Sequence, residues 1–326
     1  MTSGTLVSLR DAYGELLPEL GREEPRLVVL DADLSTSTRT GKFRQAFPER
    51  TLNVGIAEQN MVGVAAGVAL AGGIPFVHTF ASFLTRRAAD QIAISVAYPR
   101  LNVKFFGFHA GVNLGEDGAT QQAVEDVGIM QAIPGIRVYA PVDADDLVAT
   151  VREVMRTAGP TYVRLSRFPS PILGQDDSTA APAVKALRSG GQILVIVTGT
   201  LAAEVVAAAD ALKAQGISVR VVGVSRIKPL DPSIAALVSA WGPRPVAVAE
   251  EHNIHGGLAD ALSSVLDEAG VPHRLHRFGV PDRFGESGPP RELLESLGLG
   301  SRALAERIAA IVSQQPAQPD PQRWEE

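Results

Sequence analysis

Short continuous apolar runs alternate along this chain with longer segments whose apolar residues recur every three or four positions. The runs 26–31, 75–78, 102–108, 136–140 and 161–166 predict buried strands, and 59–71, 83–97, 119–132 and 143–157 predict the helices between them. Asp143, Asp145 and Asp146 open the last of these helices, where the macrodipole favours acids. From 169 to 182 the pattern lapses into prolines, glycine, serines and aspartates. It then restarts with strands over 192–198, 218–224, 245–249 and 273–278 and helices over 201–214 and 257–269. Strands that are apolar throughout, spaced by helices, predict mostly parallel sheets covered on both faces. The expected fold is therefore α/β with two domains, each a mostly parallel sheet covered by helices. Their expected limits are 1–173 and 189–313, with a linker at 174–188 and a polar, proline-bearing, disordered tail at 314–326.

Composition narrows the picture. With 326 residues, 45% hydrophobic and 20% charged, the chain reads as an ordinary globular protein of two domains. Its net charge of −6 and lack of a basic stripe argue against nucleic acid as a partner. The absence of cysteine excludes disulfides, zinc-thiolate sites and cysteine nucleophiles. No signal-like amino terminus or membrane-length apolar stretch is visible, so the expectation is a cytoplasmic protein without a membrane partner.

Candidate chemistry gathers after predicted strands. Glu58 follows the short run 51–54 and opens a helix of small residues, and Phe80 and Phe83 follow the strand at 75–78. A carboxylate enclosed there beside two aromatics suits a nitrogen heterocycle, but a plain helix start near core phenylalanines gives the same pattern. The glycine-rich stretch 107–122 lies between a strand and a helix, where open α/β sheets bind ligands. There His109, Asp117 and Gln121 have the donors and acceptors for a polyol; a long surface loop is the alternative. Arg164 and Arg167 flank Ser166 and suit either an anion or structural ion pairs. Thr198-Gly199-Thr200 lacks the full dinucleotide fingerprint. His252 and His255 suggest a metal, an interface or a helix cap.

Together these segments resemble the transketolase-like family of thiamine diphosphate enzymes, over about residues 5–312. Asp31-Ala32-Asp33-Leu34 is similar to the family's Ser-Ala-Asp-Leu segment. Gly55-Ile56-Ala57-Glu58-Gln59 is similar to its invariant-glutamate segment, and Leu114-Gly115-Glu116-Asp117-Gly118 to the substrate-channel signature of transketolase. The resemblance implies that Glu58 is the acid on the cofactor's pyrimidine nitrogen, with Phe83 stacked on that ring, Phe80 beside it and Asp33 near the cofactor. It implies that Arg10, Ser37, His109 and Arg167 lie toward a sugar phosphate end and that Asp117 reads a donor hydroxyl. Gln121 and Asn60 stand where relatives carry histidines, and glutamine cannot exchange a proton near neutral pH. The Gly-Asp-Gly motif for magnesium and diphosphate does not occur. The expectation is the carboxyl-terminal subunit of a split transketolase, active in an α2β2 assembly with a partner that carries that motif and binds Mg2+. The β subunit of a 2-oxo acid dehydrogenase and a non-catalytic regulatory subunit are the alternatives.

Overall fold

The computed structural model of the chain describes residues 6–174 and 184–314. Its strands are β1 (Leu6–Val7), β2 (Leu27–Asp31), β3 (Thr51–Asn53), β4 (Ile74–Phe80), β5 (Lys104–Phe108), β6 (Arg137–Tyr139), β7 (Thr161–Leu165) and β8 (Ser170–Pro171), followed by β9 (Val184–Arg188), β10 (Ile193–Val197), β11 (Val219–Val224), β12 (Arg226–Lys228), β13 (Val246–Asn253) and β14 (Leu275–Val280). Seven form one sheet in the order β12-β6-β7-β5-β4-β2-β3, and five a second in the order β14-β13-β10-β11-β9. All pairings are parallel except those of β12 with β6 and β9 with β11, plus the small β1–β8 pair. Every position of β4 is buried, as a strand with helices on both faces requires.

The domains are not independent. β12 follows β11 in the chain but closes the edge of the first sheet. The turn Thr198-Gly199-Thr200 is a docking contact rather than a nucleotide loop: Gly199 N–H and Thr198 Oγ1 both donate to Ala140 O, at 3.1 and 3.3 Å. One apolar cluster runs through both domains, from Val77, Phe105 and Val138 to Val224, Ile227 and Leu258.

Three sequence expectations need correction. The helix expected over 83–97 is three pieces, Ala81–Arg87, Ala89–Gln91 and a π-helical turn Ile92–Ala97. The helix expected over 119–132 begins at Asp126, because Arg86 takes the preceding segment. Its guanidinium donates to Thr120 O at 3.2 Å and Gln122 O at 2.9 Å and pairs with Glu125, so those carbonyls are satisfied outside a helix. Of the linker expected at 174–188, residues 175–183 lie outside the described residues, but Val184–Arg188 is a strand antiparallel to β11. The expected tail lies outside the described residues beyond Gln314. Among the described residues, no helix is long and apolar enough to cross a membrane.

Candidate active site

The carboxyl ends of β2, β3, β4, β5 and β7 open on one edge of the first sheet, and the candidate residues follow those ends. Glu58 is the first residue of the helix Glu58–Leu70 and only 4% exposed. Its Oε1 accepts Nη1 of Arg87 at 2.9 Å. The Arg87 guanidinium lies 4.0 Å from the centroid of the Phe83 ring. Phe83 stacks on Phe80 at 5.3 Å, and Phe80 meets the His109 imidazole at 4.1 Å. A continuous run of contacts therefore joins an acid, a cation, two aromatics and a histidine drawn from three strand ends. A buried carboxylate beside an aromatic shelf fits a flat heterocycle with a protonated ring nitrogen.

His109 is buried, sits at φ 56°, and has no hydrogen-bond partner at either ring nitrogen. Such orphaned polar atoms suit an incoming ligand. Burial, then the charges of Arg167, Arg10 and Arg39, push its pKa down to about 3. The imidazole is thus neutral at ordinary pH, able to donate from one nitrogen and accept at the other. Arg10, Asp117 and Arg167 line a cavity of about 370 Å³ with Asn113 and, from the second domain, Pro290. Arg167 pairs with Asp117 at 3.3 Å, and Arg39 with Asp11 at 2.7 Å. Burial foremost, with the charge of Arg39 next, lowers the pKa of Arg10, whose buried Nε has no hydrogen-bond partner. The cavity sets Arg10 and Arg167 against Asp11, Glu116 and Asp117, and its two guanidiniums are the groups that suit an anion.

Other expected residues stand apart from this run of contacts. Ser37 is half-buried on the short helix Ser35–Thr38, two residues before Arg39. Asp33, at φ 62°, is exposed and held by Asn53, which accepts Asp33 N–H at 3.1 Å and donates to its carboxylate at 3.0 Å. The same Asn53 side chain accepts Gly55 N–H at 3.0 Å, so it ties the Asp33 turn to the turn before Glu58. The amide oxygen of Gln121 accepts from its neighbour Thr120. Arg164 is structural: it is buried against Asp126 at 2.9 Å. Both ring nitrogens of His252 are engaged, one by Asn253 O at 2.8 Å and the other by Gly128 N–H at 3.2 Å. The helix cap expected in that segment is Glu250, which accepts Leu258 and Ala259 N–H at 2.6 and 3.1 Å. Arg87, Arg39 and Asn53 belong to the site region but carry no signal in the hydrophobic pattern. A search for basic residues after the aromatic pair would have found Arg87.

Both domains have counterparts among known proteins. Residues 6–169 match the transketolase pyrimidine-binding domain and residues 183–304 the transketolase C-terminal domain. A putative transketolase C-terminal section of Methanocaldococcus jannaschii is 42% identical over 309 residues, covering 94% of this chain and 96% of that one. A 6-deoxy-6-sulfo-D-fructose transketolase subunit of a Clostridium species is 41% identical over 297 residues, covering 91% and 92%. A solved structure of a split-gene transketolase, described as an inactive β4 tetramer, superposes with a TM-score of 0.83 at 40% identity and covers 95% of this chain and 99% of its own. Two domain matches in series, with relatives matched over nearly their whole length, establish that this chain belongs to the transketolase family, as a counterpart of the carboxyl-terminal section of its split members.

Proposed function

We propose that this chain is the pyrimidine-side subunit of a two-component, thiamine diphosphate-dependent transketolase that moves a two-carbon ketol unit from a ketose with an anionic end to an aldose. One observation carries the reading: a buried acid, an aromatic shelf and an unpartnered neutral histidine meet at one sheet edge, with arginines behind them. The cofactor, when bound, supplies a carbon nucleophile that adds to the donor carbonyl. Glu58 holds the pyrimidine nitrogen through a hydrogen bond, and Phe83 and Phe80 support the ring face. His109 donates to or accepts from a substrate oxygen. Asp117 and Gln121 read substrate hydroxyls, and Arg10, Arg167 and Ser37 receive the anionic end. Asp33 borders the cofactor.

The reading includes a partner chain that holds the diphosphate and Mg2+ and covers the helix Glu58–Leu70. Ile56, just before that helix, and Leu70, at its end, are exposed apolar residues, and Gly63 and Gly67 leave open space on it. The split relative described as an inactive β4 tetramer supports the need for another subunit.

The test is reconstitution. The chain is mixed with a partner bearing the Gly-Asp-Gly motif, thiamine diphosphate, Mg2+, a ketose phosphate and an aldose. Transfer is expected from the pair and not from the chain alone. Glu58→Ala is expected to assemble but to lose about 10²–10⁴-fold in kcat, the usual scale for an acid–base residue. Turnover by the chain alone, full activity of Glu58→Ala, or preference for pyruvate over a ketose as donor would each overturn the proposal.

A further inference from the structure

All the roles assigned above fall on the first domain, yet the second domain grips the loop that carries His109 and Asp117. Glu251, in β13, is buried and reaches across the domain boundary. Its Oε1 accepts the backbone N–H of Asn113 at 2.7 Å and its Oε2 accepts Asn113 Nδ2 at 3.0 Å, a link between residues 138 positions apart. The approach is so close that a Cβ on Gly111, which lies at φ 82°, would collide with the carboxylate. Arg164 locks the same junction, donating through Nη2 to Glu251 O at 2.7 Å and Ala123 O at 3.1 Å. His109 holds a left-handed backbone conformation, which a non-glycine residue keeps only where its surroundings enforce it.

We propose that Glu251 is a positioning residue: it fixes the loop 109–118, and through it the direction in which His109 and Asp117 face the substrate. This rests on the assignment of His109 and Asp117 to substrate. Glu251 itself acts through Asn113. The two donors of Asn113 match the two oxygens of one carboxylate, so the link can be broken and rebuilt by exchanging the partners' chemistry.

Asn113→Asp removes the Nδ2 donor. Because burial pushes the pKa of Glu251 up to about 7, the measurements are made at about pH 9, where a proton shared between the two carboxyl groups is least favoured. Glu251→Gln/Asn113→Asp restores the match, because the new amide nitrogen donates to the carboxylate introduced at position 113 while the amide oxygen still accepts the backbone N–H. Amide hydrogen exchange on the full chain reads the loop without reference to activity. Exchange over 110–118 is expected to rise about tenfold or more in Asn113→Asp, as loss of hydrogen bonds to a charged group implies. It is expected to return to near the wild-type rate in the double variant. In the reconstituted pair, KM for the ketose donor is expected to follow the same order, rising about tenfold and recovering. Unchanged protection or KM in Asn113→Asp, or a double variant that does not recover, would overturn the proposal. If the exchange pattern holds but the wild-type pair transfers no ketol unit, the functional assignment fails and the tether stands.

Discussion

At the scale of single residues, His109 shows how location sets chemistry. Burial and the charges of Arg167, Arg10 and Arg39 favour its neutral form, with a folded pKa of about 3 against an ordinary value of 6.5. The sign follows: a depressed histidine pKa contributes stability above pH 6.5 that is lost as pH falls toward 3. Between pH 5 and 8 the His109 ring resonances are therefore expected to show no titration in an NMR pH series. Arg167→Leu should move the midpoint upward while leaving it below 6.5, since burial is the larger cause. A wild-type inflection near 6.5 would refute this. Glu58 carries a second prediction. It is almost fully buried and its carboxylate is paired with Arg87. Arg87→Leu removes that partner and should destabilise the free chain by about 1–3 kcal/mol in urea unfolding. An unchanged midpoint would mean that Arg87 contributes nothing to holding Glu58. Glu58 was readable from its local segment, but Arg87 was not, because a pairing across 29 residues leaves no trace in periodicity.

At the scale of elements, the strands were the legible part, because a parallel strand buried on both faces is one unbroken apolar run, as β10 is. β4 is apolar apart from His78 and Thr79, and the environment of His78 explains its presence. Nδ1–H donates to Leu30 O at 3.0 Å, Nε2 accepts Tyr13 O–H at 2.6 Å, and the ring stacks on Phe106 at 5.3 Å. Burial lowers its pKa to about 4, so its contribution to stability is present above pH 6.5 and lost as pH falls from there toward 4. Tyr13→Phe removes the one donor to Nε2 and should cost about 1–3 kcal/mol, as for any buried acceptor left unmatched. Urea unfolding at pH 7 measures it, and a loss near zero would show that the bond does not matter. What was not legible had tertiary causes. The segment 119–125 has helical composition, yet Arg86 and the second domain capture its polar groups first. Val184–Arg188 adjoins a stretch rich in proline and glycine and reads as linker, but Val184 and Leu187 are buried once β11 is beside them. The site edge could be inferred from residues after strand ends. The grip of Glu251 on Asn113 could not, since it depends on how the two sheets meet.

For the whole molecule, the decisive feature is the surface of the helix that Glu58 opens. Ile56 is 77% exposed and Leu70 75%, and the helix Glu58–Leu70 turns Gly63 and Gly67 outward with nothing beyond the adjoining residues and backbone of the helix itself within 4 Å of where a Cβ would sit. A helix apolar on nearly every side is stable in a protein when something covers it. Under the proposed function that cover is the partner chain. Residues that serve only an interface can be separated from those that serve the fold. Gly67 is well inside the helix and not at a positive φ, so a larger side chain suits the helix better than glycine does. Gly67→Arg should therefore leave the dilute, isolated chain as stable as before or more stable by up to about 1 kcal/mol, the usual gain on replacing a mid-helix glycine. The same change places a long charged side chain on the apolar face and should abolish assembly with the partner. Urea unfolding and sedimentation velocity on the same preparations test the two halves together. Assembly that survives Gly67→Arg would move the interface elsewhere on the molecule. A destabilised monomer would show that the open space over Gly67 is not free, and with it the case for a covering subunit on this helix would fall.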